Sequence, residues 1–223
     1  MKDKTPDQRI LESWKTNAEP WINAIRENQI ESRVRLTNKA VLEQILSYRP
    51  ASVIVIGCGE GWLCRALESN GVSTLGVDAT ADLITSARGL SASRFECVSY
   101  DQIVAGAIRE SFDLAVFNFS LFGNESVESL IKSVPAFLNP NGNIVVQTLH
   151  PATSIGGIEQ DDGWRESSWQ GFSDEFRDPA PWYYRSTRSW FSMLARSGFR
   201  EINTLQPSEP NKDPVSIIFS AAI

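Results

Sequence analysis

The stretch "SVIVIGCGEGWLCRAL", residues 52–67, decides how the chain is read. Val53, Ile54, Val55 and Ile56 run straight into Gly57, Gly59 and Gly61, and a helical pattern starts at Trp62. An unbroken run of β-branched residues favours a strand covered on both faces. Alternate glycines bare the backbone, and the start of a helix presents unpaired N–H groups. In an open α/β sheet such a turn lies at the carboxyl end of a parallel strand, where ligands bind.

The same rhythm extends in both directions. Upstream, residues 6–28 read as a helix with Ile10, Trp14, Ala18 and Trp21 on one face, broken or kinked at Pro20. "TNKAVLEQILSY" is a second helix with Thr37 placed to cap it. Downstream, strands "STLGVD", "RFECVS", "FDLAVFNFS" and "NIVVQTL" alternate with helical "TADLITSARGL", "DQIVAGAI" and "ESVESLIKSVPAFL". Short connections between apolar strands predict a parallel sheet wound with helices on both sides by right-handed crossovers. After His150 and Pro151 the rhythm stops. Residues 151–185 hold many aromatics and glycines with no clear period, and read as an insertion over the sheet edge. Helix "TRSWFSMLARSGF" and strands "REINTLQP" and "PVSIIFSAAI" close the chain, the last two as an antiparallel hairpin.

The 223 residues suit one domain, with an N-terminal helical cap over 1–31 and a lid insertion over 151–185. A net charge of −6 disfavours nucleic acid and anionic lipid as partners. The start lacks the apolar segment of a signal peptide, and no apolar run is long enough to span a membrane. Three cysteines without metal-ligand spacing read as small, buried, reduced thiols in a cytoplasm. With a single histidine, His150, a metal site is not expected.

Two nucleotide chemistries fit the glycine turn. The dinucleotide fingerprint G-x-G-x-x-G is incomplete, because Trp62 stands where its third glycine belongs. Asp78 ends the second strand in "LGVDAT", about 20 residues on, where a carboxylate can accept from both hydroxyls of a ribose. This order, with "VIVIGCGEG", "LGVD", "CVSYDQI", "FDLAVFNFSLFG" and "LNPNGNIVVQTLHP", resembles the class I S-adenosylmethionine-dependent methyltransferases, from about Arg33 to the C-terminus. The resemblance implies an α/β fold: a doubly wound, mostly parallel seven-stranded Rossmann-like sheet with helices on both faces, an antiparallel C-terminal strand and an aromatic lid insertion. It implies S-adenosyl-L-methionine as cofactor and a small-molecule methyl acceptor as partner.

By the same resemblance Gly57, Gly59 and Gly61 line the methionine and ribose part, and Asp78 holds the ribose with Ala79 beside it. Ser99 and Tyr100 flank the adenine, a role Asp101 is close enough to share. Asn118 and Phe119 lie near the sulfonium, and Arg33 or Arg35 pairs with the cofactor carboxylate. Many members carry an acidic residue two places before the first glycine. Val55 stands there, and Glu60 is the nearest substitute. "NFSL" lacks the prolines of the base-methylating members.

His150, at the end of the fifth strand, is read as a catalytic base, a substrate-positioning group or a structural residue. The insertion holds Trp164, Trp169, Phe172, Trp182, Tyr183 and Tyr184, with Arg165 and Arg185 among them, and reads as an aromatic lid. Trp164, Trp182, Tyr184 and Arg185, with Trp21 and Trp14 of the cap, are expected to enclose an apolar acceptor. The two cap tryptophans suit a homodimer contact as well. The competing functions are a non-catalytic binder of the same cofactor, a protein methyltransferase, and an NAD(P)-dependent oxidoreductase.

Overall fold

The computed structural model describes residues 4–223, so the first three residues of the expected cap lie outside the description. One seven-stranded sheet has the order β3-β2-β1-β4-β5-β9-β8. Its strands are β1 (Ser52–Ile56), β2 (Ser73–Asp78), β3 (Arg94–Cys97), β4 (Phe112–Asn118), β5 (Leu138–Leu149), β8 (Arg200–Leu205) and β9 (Ser216–Ala222). The first five run parallel, while β9 runs antiparallel to both β5 and β8. A second, two-stranded antiparallel ribbon within the insertion joins β6 (Gly163–Arg165) to β7 (Trp182–Tyr184).

Side-chain alternation along β1 divides the core. Ile54 and Ile56 face one layer, built with α7 (Glu125–Ser133) and α8 (Thr187–Arg196). Val53 and Val55 face the other, built with α3 (Asn38–Ser47), α4 (Trp62–Glu68) and α5 (Ala81–Leu90). Both faces of the strand are buried, as its continuous apolar run requires.

Several boundaries differ from the sequence reading, each for a local reason. The N-terminal helix breaks at Asn17, giving α1 (Pro6–Thr16) and α2 (Ala18–Arg26). Pro20 falls in the first turn of α2, where its missing N–H has no helical partner to lose. Thr37 precedes α3 but makes no capping bond, because one turn of π-helix, Arg33–Thr37, already leads into it. Helix α6 (Tyr100–Val104) starts one residue earlier than read, as Ser99 and Gln102 form a reciprocal capping box. Pro135 converts the end of the α7 segment to a 3₁₀ turn. Cys58 and Cys64 are buried, but Cys97 is exposed at the end of the edge strand β3. Among the described residues no helix is long and apolar enough to cross a membrane.

Candidate functional site

The sheet order β3-β2-β1-β4 sets four strand ends side by side, and β1/β4 is the switch point of the winding. A cavity of about 310 Å³ opens there, lined by Gly57, Cys58, Gly59, Asp78, Ala79, Ser99, Tyr100, Asp101, Asn118, Phe119 and Ser120 from those ends. Arg33, Trp62, Trp14 and Trp21 complete it from the helices. The volume lies in the range of small-molecule sites.

The glycine turn is held from both sides. Gly57 and Cys58 donate their N–H groups to Val77 O at 2.8 and 3.0 Å. Gly59 N donates to Asp78 Oδ2 at 3.0 Å, and Thr80 N donates to Oδ1 at 2.8 Å. Asp78 is thus fixed by backbone and retains lone pairs for further donors. Enclosure by protein raises its pKa, offset by these N–H bonds.

A methyl group on Gly57 would meet Ser120 Cβ at 2.3 Å. Ser120 Oγ donates to Ile56 O at 2.9 Å, and the Tyr100 hydroxyl donates to Ser120 O at 2.8 Å. That close approach knits the ends of β1, β3 and β4 together. Burial pushes the Tyr100 phenol upward, so it stays a neutral donor. Phe119 adopts a left-handed backbone, φ 51°, unusual for a non-glycine residue and common where strain supports a site.

Gly61 has a different role from the one expected. It does not line the cavity, and a Cβ there would lie 2.7 Å from the Phe95 ring and 3.1 Å from Ala87. It is the packing glycine that lets α4 approach its neighbours, one position earlier than the dinucleotide spacing places it. Trp62 is thereby free to face the cavity.

Arg33 and Arg35 separate clearly. Arg35 is exposed and paired with Glu31 and Glu209. Arg33 is buried, its guanidinium lying 5.4 Å from the Trp21 ring and 5.2 Å from the Trp62 ring. Nε donates to Asn38 Oδ1 at 3.3 Å, while Nη2 is buried without a partner. Burial lowers its pKa to about 10, with Glu60 acting in the opposite sense, so it is cationic at neutral pH. Asn118 Oδ1 is a second buried polar atom without a partner. A buried charged nitrogen and a buried amide oxygen left open beside one cavity suit a polar ligand.

Glu60 cannot replace the acidic residue that Val55 displaces. Its carboxylate is gripped by Arg65 Nη2 at 2.8 and 2.6 Å and does not reach the cavity.

His150 is buried but does not line the cavity. Its Nδ1 accepts from Thr153 N at 3.4 Å, inside the turn that leaves β5. Of the three roles the sequence offers, this placement favours the structural one. Trp164, Trp182, Tyr184 and Arg185 are also absent from the cavity wall. The β6/β7 ribbon packs Trp164 edge-on to Tyr183 and Trp182 edge-on to Tyr184, with Tyr184 almost fully buried. Arg185 donates to Gly123 O at 2.7 Å and Asn124 O at 2.9 Å, so it clamps the loop after β4 rather than facing a ligand.

The aromatic roof comes from Trp14 of α1 and Trp21 of α2, as expected of the cap, backed by Trp169 and Phe172 of the insertion. Trp14 packs edge-on to Trp21 at 5.1 Å and to Trp169 at 5.9 Å, and Phe122 lies 6.4 Å away. Trp169, Phe172 and Phe176 form the layer behind. Asn17 locks the two layers: Nδ2 donates to Arg177 O at 2.7 Å and Oδ1 accepts from Arg177 N at 2.8 Å. Phe122, Asp7 and Ser120 are wall residues that the sequence reading missed. Of these, Asp7 had a signal, because it shares the helical stripe of Ile10 and Trp14.

These features agree with comparison to known proteins. A family described as a methyltransferase domain matches residues 26–204. The chain belongs to the class I S-adenosylmethionine-dependent methyltransferases. It is 33% identical over 104 residues to a ubiquinone biosynthesis O-methyltransferase of Bradyrhizobium diazoefficiens, covering 44% of this chain and 40% of that enzyme. With the counterpart from Pseudomonas fluorescens the identity is 29%, over 58% of this chain and 52% of the relative. The chain thus spans about half the length of these curated relatives.

Among solved structures, a Burkholderia thailandensis 1,6-didemethyltoxoflavin-N1-methyltransferase aligns with TM-score 0.65 at 14% identity. That alignment covers all of this chain (100%) and 92% of the neighbour. The plantazolicin methyltransferase BamL aligns with TM-score 0.69 at 13% identity, over 97% and 96% of the two chains. At these identities the likeness concerns the fold.

Proposed function

We propose that the chain transfers a methyl group from S-adenosylmethionine to an oxygen or nitrogen of a small, partly apolar molecule. The observation that carries this reading is the unpartnered Nη2 of Arg33, buried against Trp21 and Trp62 in the same cavity as Asp78. A planar cation suits an α-carboxylate, and a carboxylate suits a ribose diol. The residues present therefore fit the two ends of this cofactor. Ser99, Tyr100 and Asp101 would hold the adenine. The backbone of Gly57 and Gly59 would lie against the middle, and Asn118 and Phe119 near the reacting carbon.

The bound cofactor supplies an activated methyl carbon on a sulfonium. This chain contributes alignment and exclusion of water. Trp14, Trp21 and Phe122 form an apolar wall over the strand ends, which favours an in-line approach and keeps solvent out. The relative named for O-methylation in ubiquinone biosynthesis and the structural neighbour holding 1,6-didemethyltoxoflavin support a small acceptor. The acidic net charge supports an enzyme that does not act on nucleic acid, and the three cysteines without metal-ligand spacing suit a cytoplasm.

The test is calorimetric titration of S-adenosylmethionine, S-adenosylhomocysteine and NADH into wild type and Asp78→Ala. The first two should bind wild type and NADH should not. The variant should lose about 2–3 kcal/mol, roughly 30- to 150-fold in affinity. Binding of NADH alone, or of none of the three, would overturn the reading.

A further inference from the structure

The face that α1 turns to the cavity carries Asp7, Ile10, Leu11 and Trp14, the i, i+3, i+4, i+7 stripe of one helix side. Gln8 and the capping Thr5 reach the wall beside it, and Asp7 is the one charged group among them, half-buried at the rim. Ser126 Oγ donates to Asp7 Oδ1, close against Gly123. Oδ2 has no donor among the described residues. Arg185, the nearby cation, directs its guanidinium to the carbonyls of Gly123 and Asn124.

Asp7 stands apart from the other two carboxylates of the cavity. Asp78 and Asp101 come with the ends of β2 and β3, whereas Asp7 meets the loop that follows Asn118, Phe119 and Ser120. The wall around it combines apolar Leu11, Trp14 and Phe122 with uncharged Thr5, Gln8, Gly123 and Ser126, and the cavity's cation, Arg33, is held between Trp21 and Trp62.

We infer that Asp7 is the group that recognises the methyl acceptor, its free oxygen accepting from an O–H or N–H carried on an aromatic body. The inference rests on the methyltransferase reading above and deepens it. An acceptor of this class places its ring against Trp14 and Phe122 and its donor on Asp7. The same carboxylate repels acceptors that bear a carboxylate of their own. If Asp7 served only the first turn of α1 through the helix dipole, its loss would lower stability and leave ligand choice untouched.

The test uses three matched probes titrated into protein saturated with S-adenosylhomocysteine: 2-naphthol, 2-methoxynaphthalene and 2-naphthoate. Wild type should prefer the naphthol about 10-fold or more over its methyl ether, the worth of a charge-assisted hydrogen bond, and should exclude the carboxylate. Asp7→Asn should erase the exclusion of naphthoate and narrow the other gap, with S-adenosylhomocysteine affinity within about twofold of wild type. Preference for the ether or the carboxylate overturns the inference, as does unchanged selectivity in a folded Asp7→Asn. So does binding of S-adenosylhomocysteine with none of the probes. Wild-type selectivity decides the matter if the variant does not fold. Failure to bind S-adenosylhomocysteine sinks the methyltransferase reading itself and is thereby distinguished.

Discussion

The glycine turn and the aromatic roof wall the same cavity, and they are held by different means. The turn from Gly57 to Gly61 is fixed by backbone: N–H groups of Gly57, Cys58 and Gly59 bond to β2 and Asp78 nearby in sequence. The roof is fixed by side chains from distant segments, with Asn17 locked to Arg177 across 160 residues. Backbone-held geometry leaves glycines at set spacings and can be read in one stretch. Side-chain-held geometry depends on which face of one remote segment meets another.

This contrast can be broken by substitution, the larger effect first. Gly61→Ala adds a Cβ that meets Phe95 and forces a side chain onto φ 84°. Overpacking and left-handed strain together should cost about 2–4 kcal/mol of stability. Chemical denaturation measures this, and a variant as stable as wild type would remove the packing role assigned to Gly61. Asn17→Ala leaves the backbone N–H and carbonyl of Arg177 without their Asn17 partner, a cost of about 1–3 kcal/mol. The loss should concentrate in the roof. Hydrogen exchange should quicken in α1, α2 and residues 169–178, with the β1–α4 turn unaffected. Uniform change across both regions would mean that roof and turn are one unit.

The pattern of what was legible follows from the same distinction. The strand order, the turn, Asp78 and the residues after β3 and β4 all follow from chain order in a parallel sheet. Each strand end deposits its next residues at the same edge. Gly61 was misread because spacing alone does not say which side of a turn a glycine faces; Phe95 decides it. Arg33 could not be separated from Arg35 in "ESRVRL", since both are arginines in one short charged run. The π-turn and the two tryptophan rings separate them. His150 drew notice by its position at a strand end, but the turn folds its ring back to Thr153. In the insertion, the lack of helical period marks the aromatics as a lid but does not say which of them face the cavity. The β6/β7 ribbon absorbs Trp164, Trp182 and Tyr184, while Trp169 and Phe172, with Phe176, back the roof.

The central claim is that Arg33 is held buried and incompletely paired for the sake of a ligand. It is tested most directly by titrating S-adenosylhomocysteine into wild type and Arg33→Leu, with thermal unfolding of both. The account predicts a loss of about 10- to 150-fold in affinity in a variant that still folds cooperatively, its Tm lowered only by loss of the Nε–Asn38 bond and the contacts with the Trp21 and Trp62 rings. Undiminished affinity in a folded Arg33→Leu would contradict it.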